Sequence, residues 1–293
     1  MTLIEKIANY LSCKPDTVVT ILVTISIFLV GLLINSIISR IRKSSERKNY
    51  RKYLYSLVEN IREYSIKYAP RLMESIENLK IENQPVYILK RRTENSFHTF
   101  DKIPFEKLFE SFFSGIIFKK KLRRKSFNFI LNYTMLIKFY YDSFPKDIEK
   151  LHTTFQIFEK EWNTNMDNIR NIYEILRQQR FSNKLDPSHI ELFQEFDSIL
   201  QIWFSNADRT NRKILKTLII DKLDQNFFIK HKALEITPRL EILAADALLS
   251  YSNMQQTLDN FKKHLGNYYW LLKQCDRKMV VAQKILVKTN LNG

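Results

Sequence analysis

The sequence predicts an all-α protein: one N-terminal transmembrane helix continuing into a long helix, followed by a multi-helix cytoplasmic bundle. Three observations carry this expectation. Val18 to Ile38 are 21 consecutive uncharged, mostly aliphatic residues, and at ~1.5 Å per residue a helix of that length covers the roughly 30 Å hydrocarbon core of a bilayer. Glycine occurs four times, with Gly31 inside that run and Gly293 last, which leaves only Gly115 and Gly266 for the rest of the chain. Tight hairpins and phosphate-cradling loops both need glycine at positive φ, so a sheet or nucleotide-loop fold is disfavoured. Apolar residues also recur at steps of three and four through nearly the whole body, the period of helices with one buried face.

The elements follow in order. In the extracytoplasmic segment 1–16, Leu3, Ile4, Ile7, Ala8 and Leu11 form a short amphipathic stripe suited to the outer membrane interface. Residues 17–39 are the span. Its charge comes after it, it is long, and no A-x-A-like site closes it, so it reads as a retained anchor and not a cleaved signal peptide. Residues 40–82 combine a basic juxtamembrane region with a long helix whose stripe is Tyr50, Leu54, Leu57, Ile61, Tyr64, Tyr68, Leu72, Ile76 and Leu79; Pro70 is expected to kink it. Residues 83–293 form the helical cytoplasmic domain, with a subdivision expected near 181–185. It opens on an irregular segment to Ile103 that has room for a short strand at Val86–Leu89. Pro104 then starts a helix with the stripe Phe105, Leu108, Phe109, Phe112, Phe113 and Ile116. Ser126 to Tyr141 is apolar almost all round and reads as a central core helix, and Pro145 is expected to start a separate helix reaching about Arg180. Asp186-Pro187 is an N-cap followed by proline at the first helical position. Further helices are expected near Asp208–Leu223, Thr237–His264 and Asn267–Val287.

Charge sets the expected topology. Net charge is +16, and three clusters hold +15 of it: Arg40 to Lys52, Lys90 to Arg92, and Lys119 to Lys125. Basic residues flanking a span stay cytoplasmic, and Arg40, Arg42, Lys43, Arg47, Lys48, Arg51 and Lys52 follow this one, against the single acid Glu46. The expected location is therefore the inner (plasma) membrane, with the N-terminus out and the C-terminal body in the cytoplasm. Anionic inner-leaflet lipids account for the juxtamembrane cluster without a further partner. Lys119, Lys120, Lys121, Arg123, Arg124 and Lys125 admit three readings: a solvated loop, a second membrane contact, or a nucleic-acid contact, the last being the least favoured. The Phe105 to Ile116 helix that precedes them is compatible both with core packing and with resting on the inner leaflet. Cys13 and Cys275 are expected on opposite sides of the membrane, which rules out an intrachain disulfide between them.

Stepping 100° per residue, Thr17, Thr20, Thr24, Gly31, Asn35 and Ser39 fall within about 60° of one meridian of the span. Small and polar residues on one face let membrane helices approach, so self-association or packing against another membrane protein is one reading. The other is that each hydroxyl bonds its own preceding turn.

Chemistry is sparse. The chain has no G-x-x-x-x-G-K-[ST], G-x-S-x-G, H-E-x-x-H or C-x-x-C. Its five histidines, His98, His152, His189, His231 and His264, are scattered singly, and Glu149-x-x-His152 lacks the second copy that a di-iron bundle needs. Neither a metal nor a cofactor is expected. Arg92-Thr-Glu-Asn-Ser-Phe-His98 resembles, over seven residues, the Arg-x4-6-His motif of HEPN-type helical ribonucleases; the resemblance implies metal-independent RNA cleavage with Arg92 and His98 at the scissile phosphate. The leading expectation is non-enzymatic: an anchored helical protein acting through protein interaction, as sensor, scaffold or effector. Enrichment in Ile, Lys, Asn, Phe and Tyr points to an A+T-rich bacterial gene, and the layout is analogous to accessory proteins of bacterial stress or phage-defence systems.

Overall fold

The computed structural model describes residues 3–11, 14–82, 97, 100, 102–114, 120–206, 208 and 210–291. The protein is all-α, and no strand occurs among the described residues. Its helices are α1 (Leu3–Tyr10), α2 (Pro15–Asn78), α3 (Phe105–Phe113), α4 (Lys120–Phe181), α5 (Ile190–Phe204), α6 (Arg212–Leu215), α7 (Gln225–Lys230) and α8 (Thr237–Leu291). A 3-10 turn, Pro187–His189, precedes α5, and a π-turn, Lys216–Ile220, follows α6. The chain divides into two compact units, one of Met1–Ile61, Asn95–Asn128 and Ala282–Gly293, the other of Arg62–Glu94 and Phe129–Val281.

In the first unit, α2 carries the predicted apolar run without interruption into its basic and amphipathic parts. Leu54, Leu57, Val58 and Ile61 are buried at its far end. Helix α3 settles between its two expected environments by packing on Phe127 of α4: the rings of Phe105, Phe109, Phe112 and Phe113 lie 6.2, 5.9, 5.4 and 5.4 Å from it. Leu108, Ser111 and Phe112 are buried, while Phe105 stays 52 % exposed.

In the second unit, three long helix segments share a seam. Arg62 pairs with Asp276 at 2.7 Å, and Tyr64 shares a 3.0 Å hydrogen bond with Tyr268, so α8 runs antiparallel to α2. Tyr133 reaches Gln274, His264 reaches Asp147 and Trp162 packs on Tyr251, so α8 is also antiparallel to α4. An aromatic cluster locks the register: Tyr64 stacks on Tyr68 at 5.1 Å and Tyr140 on Tyr268 at 5.0 Å. Asp186 caps the 3-10 turn as expected, accepting from the Ser188 N–H at 2.8 Å, with Pro187 next. The chain turns there at Asn183, whose φ of 54° is left-handed, a conformation asparagine tolerates.

Three expectations are corrected. Pro145 does not start a helix: α4 runs through it from Lys120 to Phe181. Proline forfeits one backbone bond, but Tyr141, Phe144 and Leu151 are buried on either side while Pro145 is exposed, so continuing the helix preserves the buried stripe. Nor is Ser126–Tyr141 buried all round, since Met135, Leu136 and Phe139 are exposed. Past His264, α8 continues through Gly266 to Leu291 without the predicted break; Leu265 and Tyr268, both buried, hold the helix against its neighbours there. Pro70 lies exposed inside α2, which goes on to Asn78. The option of a strand at Val86–Leu89 falls outside the described residues.

Candidate functional sites

The N-terminal half of α2 is long and apolar enough to cross a membrane, with mean hydropathy 2.8 over its best window. Only 6 % of that window is buried. A core helix of a globular protein would hide such a surface; here Ile27, Phe28 and Leu33 are 68, 64 and 63 % exposed. Contiguous exposed apolar area of this extent marks an interaction surface for lipid or protein. All six residues of the small and polar face, Thr17, Thr20, Thr24, Gly31, Asn35 and Ser39, are exposed as well. Two of their hydroxyls bond back along the helix: Thr20 Oγ1 donates to the Asp16 carbonyl at 2.9 Å and Thr24 Oγ1 to the Thr20 carbonyl at 2.8 Å. Those bonds satisfy the hydroxyls and leave the face smooth. A Cβ built on Gly31 meets nothing within 4 Å, so no contact among the described residues requires glycine there.

The basic residues after the span separate by height. At ~1.5 Å per residue along an unbroken helix, Arg40, Arg42 and Lys43 stand about 3 to 8 Å beyond Ile38, Arg47 and Lys48 about 14 to 15 Å, and Arg51 and Lys52 about 20 to 21 Å. The first three are exposed. Arg51, by contrast, works as a clamp: its Nε donates to the Ser111 carbonyl at 2.5 Å, and its guanidinium sits 6.0 Å over the Phe112 ring. Burial pulls its pKa below the usual arginine value, with Tyr55 opposing and Arg47 adding to the shift.

Arg123, from the other basic cluster, is only 4 % exposed. Burial lowers its pKa first and the nearby Arg51 lowers it further, so the fold brings one arginine of each cluster together. Tyr55 reaches Phe112 and Phe112 reaches Phe127, which sets α4 parallel to α2 in this unit. Lys120, Lys121, Arg124 and Lys125 are exposed around the start of α4, and thus helical instead of the loop that was one expectation. Counted back along α4 from Arg123, which neighbours Arg51, Lys121 and Lys120 stand about 3 and 4.5 Å nearer the span. No acid occupies the first turn of α4, so the positive end of its macrodipole carries positive side chains, an unfavourable arrangement unless anions gather there. Lys119 lies outside the described residues.

Several titratable groups elsewhere are tied into structural pairs. His231 Nε2 lies 2.9 Å from Glu195 Oε2, and Lys230 donates to the same oxygen at 2.8 Å. The Lys230 bond chiefly, then that of His231, holds the Glu195 carboxyl below its usual range. His264 pairs with Asp147 at 3.1 Å. Tyr173 donates to Asp197 at 2.6 Å, and burial together with that bond pushes its pKa up to about 12. Burial also pushes the Cys275 thiol up to about 11, making it a poor nucleophile at neutral pH. Among the described residues no group of His, Cys, Asp and Glu is placed to hold a metal ion. Arg92, His98 and Cys13 lie outside the described residues.

Sequence reasoning missed the buried pair of Arg212 with Glu159, in which Arg212 also donates to the Ile81 carbonyl at 3.3 Å and lies 5.6 Å over Phe155. It likewise missed the π-turn beside that pair, because nothing in Lys-Thr-Leu-Ile-Ile distinguishes i+5 from i+4 bonding. No protein-family model, no curated protein and no solved structure matches this chain.

Proposed function

We propose that this protein is a single-pass membrane protein of the inner (plasma) membrane, N-terminus out, whose helical cytoplasmic body acts through protein interaction as a sensor, scaffold or effector. The reading rests on one observation above the rest: an unbroken helix whose first half is apolar and, Val18 apart, exposed, and whose continuation is basic. Arg40, Arg42 and Lys43 lie at headgroup height, where each is worth about 1 kcal/mol on an anionic leaflet. The lysines at the start of α4 extend the same positive surface. A second copy of the chain, or another membrane protein, is the proposed partner of the Thr17 to Ser39 face, because that face is smooth and exposed. A place in a bacterial stress or phage-defence system is the analogy that the layout supports.

Two native cysteines test the orientation. A membrane-impermeant maleimide added to intact cells is expected to modify Cys13, while Cys275, buried with its thiol pKa raised, stays unmodified on either side. Modification of Cys13 only after lysis would reverse the topology, and extraction of the protein by alkaline carbonate would remove the anchor altogether. For the partner, Thr24→Leu combined with Gly31→Leu is expected to convert an oligomer to a monomer in detergent; an unchanged mass would reject self-association through this face.

A further inference from the structure

Between α2 and α8 in the second unit runs an open groove of about 540 Å³, reaching from Ser65 to Glu77 on α2 and from Tyr269 to Asp276 on α8. Ala69 and Leu272 are buried in its floor, and its accessible surface is apolar too: Ile66 and Met73 are 56 and 38 % exposed. From Ser65 to Glu77 the helix rises about 18 Å, or three turns. An amphipathic helix docks into such a groove through anchors three, four and seven residues apart, and methionine adapts its shape to whatever it meets there.

Pro70 lies between Ile66 and Met73 on the same wall. Proline is the costliest residue in a helix interior, and this one is exposed, so no core packing offsets it. Its effect is chemical. It brings no N–H to the Ile66 carbonyl four residues back, so the wall of the groove offers a backbone acceptor that a regular helix would occupy itself.

Charge selects the occupant. The chain carries +16, yet this groove is acidic. Asp276 is engaged by Arg62 at 2.7 Å, and Lys273 lies 5.6 Å over the Tyr269 ring. Glu74 and Glu77 are exposed and form no ion pair among the described residues. An anionic lipid surface would be repelled by them, whereas a cationic partner is drawn in.

We propose that this groove binds a basic amphipathic helix of a second protein. The apolar face of that helix covers Ile66, Met73 and Tyr269, its lysines or arginines meet Glu74 and Glu77, and a donor on its flank reaches the Ile66 carbonyl. The inference rests on the interaction role proposed above and gives it a surface and a partner chemistry.

The test places the photo-crosslinker p-benzoylphenylalanine in the full-length protein at Ile66 or Met73, with Ile242, 60 % exposed in the same unit, as reference. Irradiation in the membranes of the producing cells is expected to give one protein adduct from the groove positions and none from the reference. Mass spectrometry of the crosslinked peptide should return a helix-forming, net basic segment with apolar residues three and four apart. Glu74→Lys with Glu77→Lys, both at exposed helical positions, is expected to cut the adduct by at least about tenfold. Pro70→Ala, which restores the N–H, should raise the thermal midpoint of the body and cut the adduct several-fold. No adduct at the groove, a crosslinked peptide that is acidic or comes from a second copy of the chain, or an adduct indifferent to the charge reversal would overturn the proposal. A lysine-directed crosslinker applied to the same membranes separates the two failures: protein adducts there without one at the groove reject the groove alone, and none from either reject the interaction role as well.

Discussion

The two halves of α2 are one helix to the backbone and two different objects to their surroundings. From Val19 to Ile38 aliphatic side chains point outward in every direction and remain exposed. From Leu54 to Leu79 most keep to one stripe, and Leu54, Leu57, Ile61, Tyr64, Tyr68, Leu72 and Leu79 are buried by other parts of the chain. Helical hydrogen bonding is equally satisfied in both; what differs is the solvent each half is written for. The first half can shed its apolar surface only into lipid or another chain, whereas the second has already done so by folding.

That contrast can be broken most forcefully from the second half. Leu72→Ala removes a fully buried side chain and is expected to cost about 2 to 5 kcal/mol of stability by chemical denaturation in detergent, while Leu33→Ala in the first half should leave the denaturation midpoint unchanged. Leu33→Arg acts the other way round. It should raise the cost of membrane insertion by about 2.5 to 3.5 kcal/mol, read as loss from the membrane fraction, with little effect on the stability of the body. If Leu33→Ala destabilised as much as Leu72→Ala, the first half would have to be packed against protein.

A smaller effect sharpens the comparison with pH. No titratable residue lies between Asp16 and Arg40, so attachment through the first half should not respond to acid. The body should respond. The Glu195 carboxyl is held below its ordinary value, so its contribution is present above the unfolded carboxylate pKa of about 4.3 and is lost as pH falls through that value towards the folded one. Glu195→Gln is expected to flatten the acid limb of the stability profile measured by thermal unfolding; an unchanged limb would mean that other carboxylates govern it.

Much of this arrangement is legible without coordinates because it is periodic. The uncharged run, the stripe from Leu54 to Leu79 and the Asp186-Pro187 cap are local patterns with local causes. The failures share a different cause. Pro145 and Gly266 are punctuation by propensity, yet each lies in an uninterrupted helix where buried neighbours on both sides outweigh a lost hydrogen bond or a flexible residue. The burial of Arg123 and its approach to Arg51 come from residues 72 positions apart, and the groove at Ile66 needs two distant helices at once. No window on the sequence contains them.

The crowding of positive side chains at the start of α4 has a practical consequence. Surface ion pairs usually loosen as salt is added; this end of the helix should tighten, because small anions screen the repulsion among its positive side chains and the helix N-terminus. Protein kept in neutral detergent at low ionic strength should therefore fray at Lys120 to Lys125, whereas the same protein in vesicles rich in anionic lipid carries its counter-charge with it. Amide hydrogen exchange over those residues would register the difference, and the choice of lipid becomes part of preparing the molecule in its ordered form.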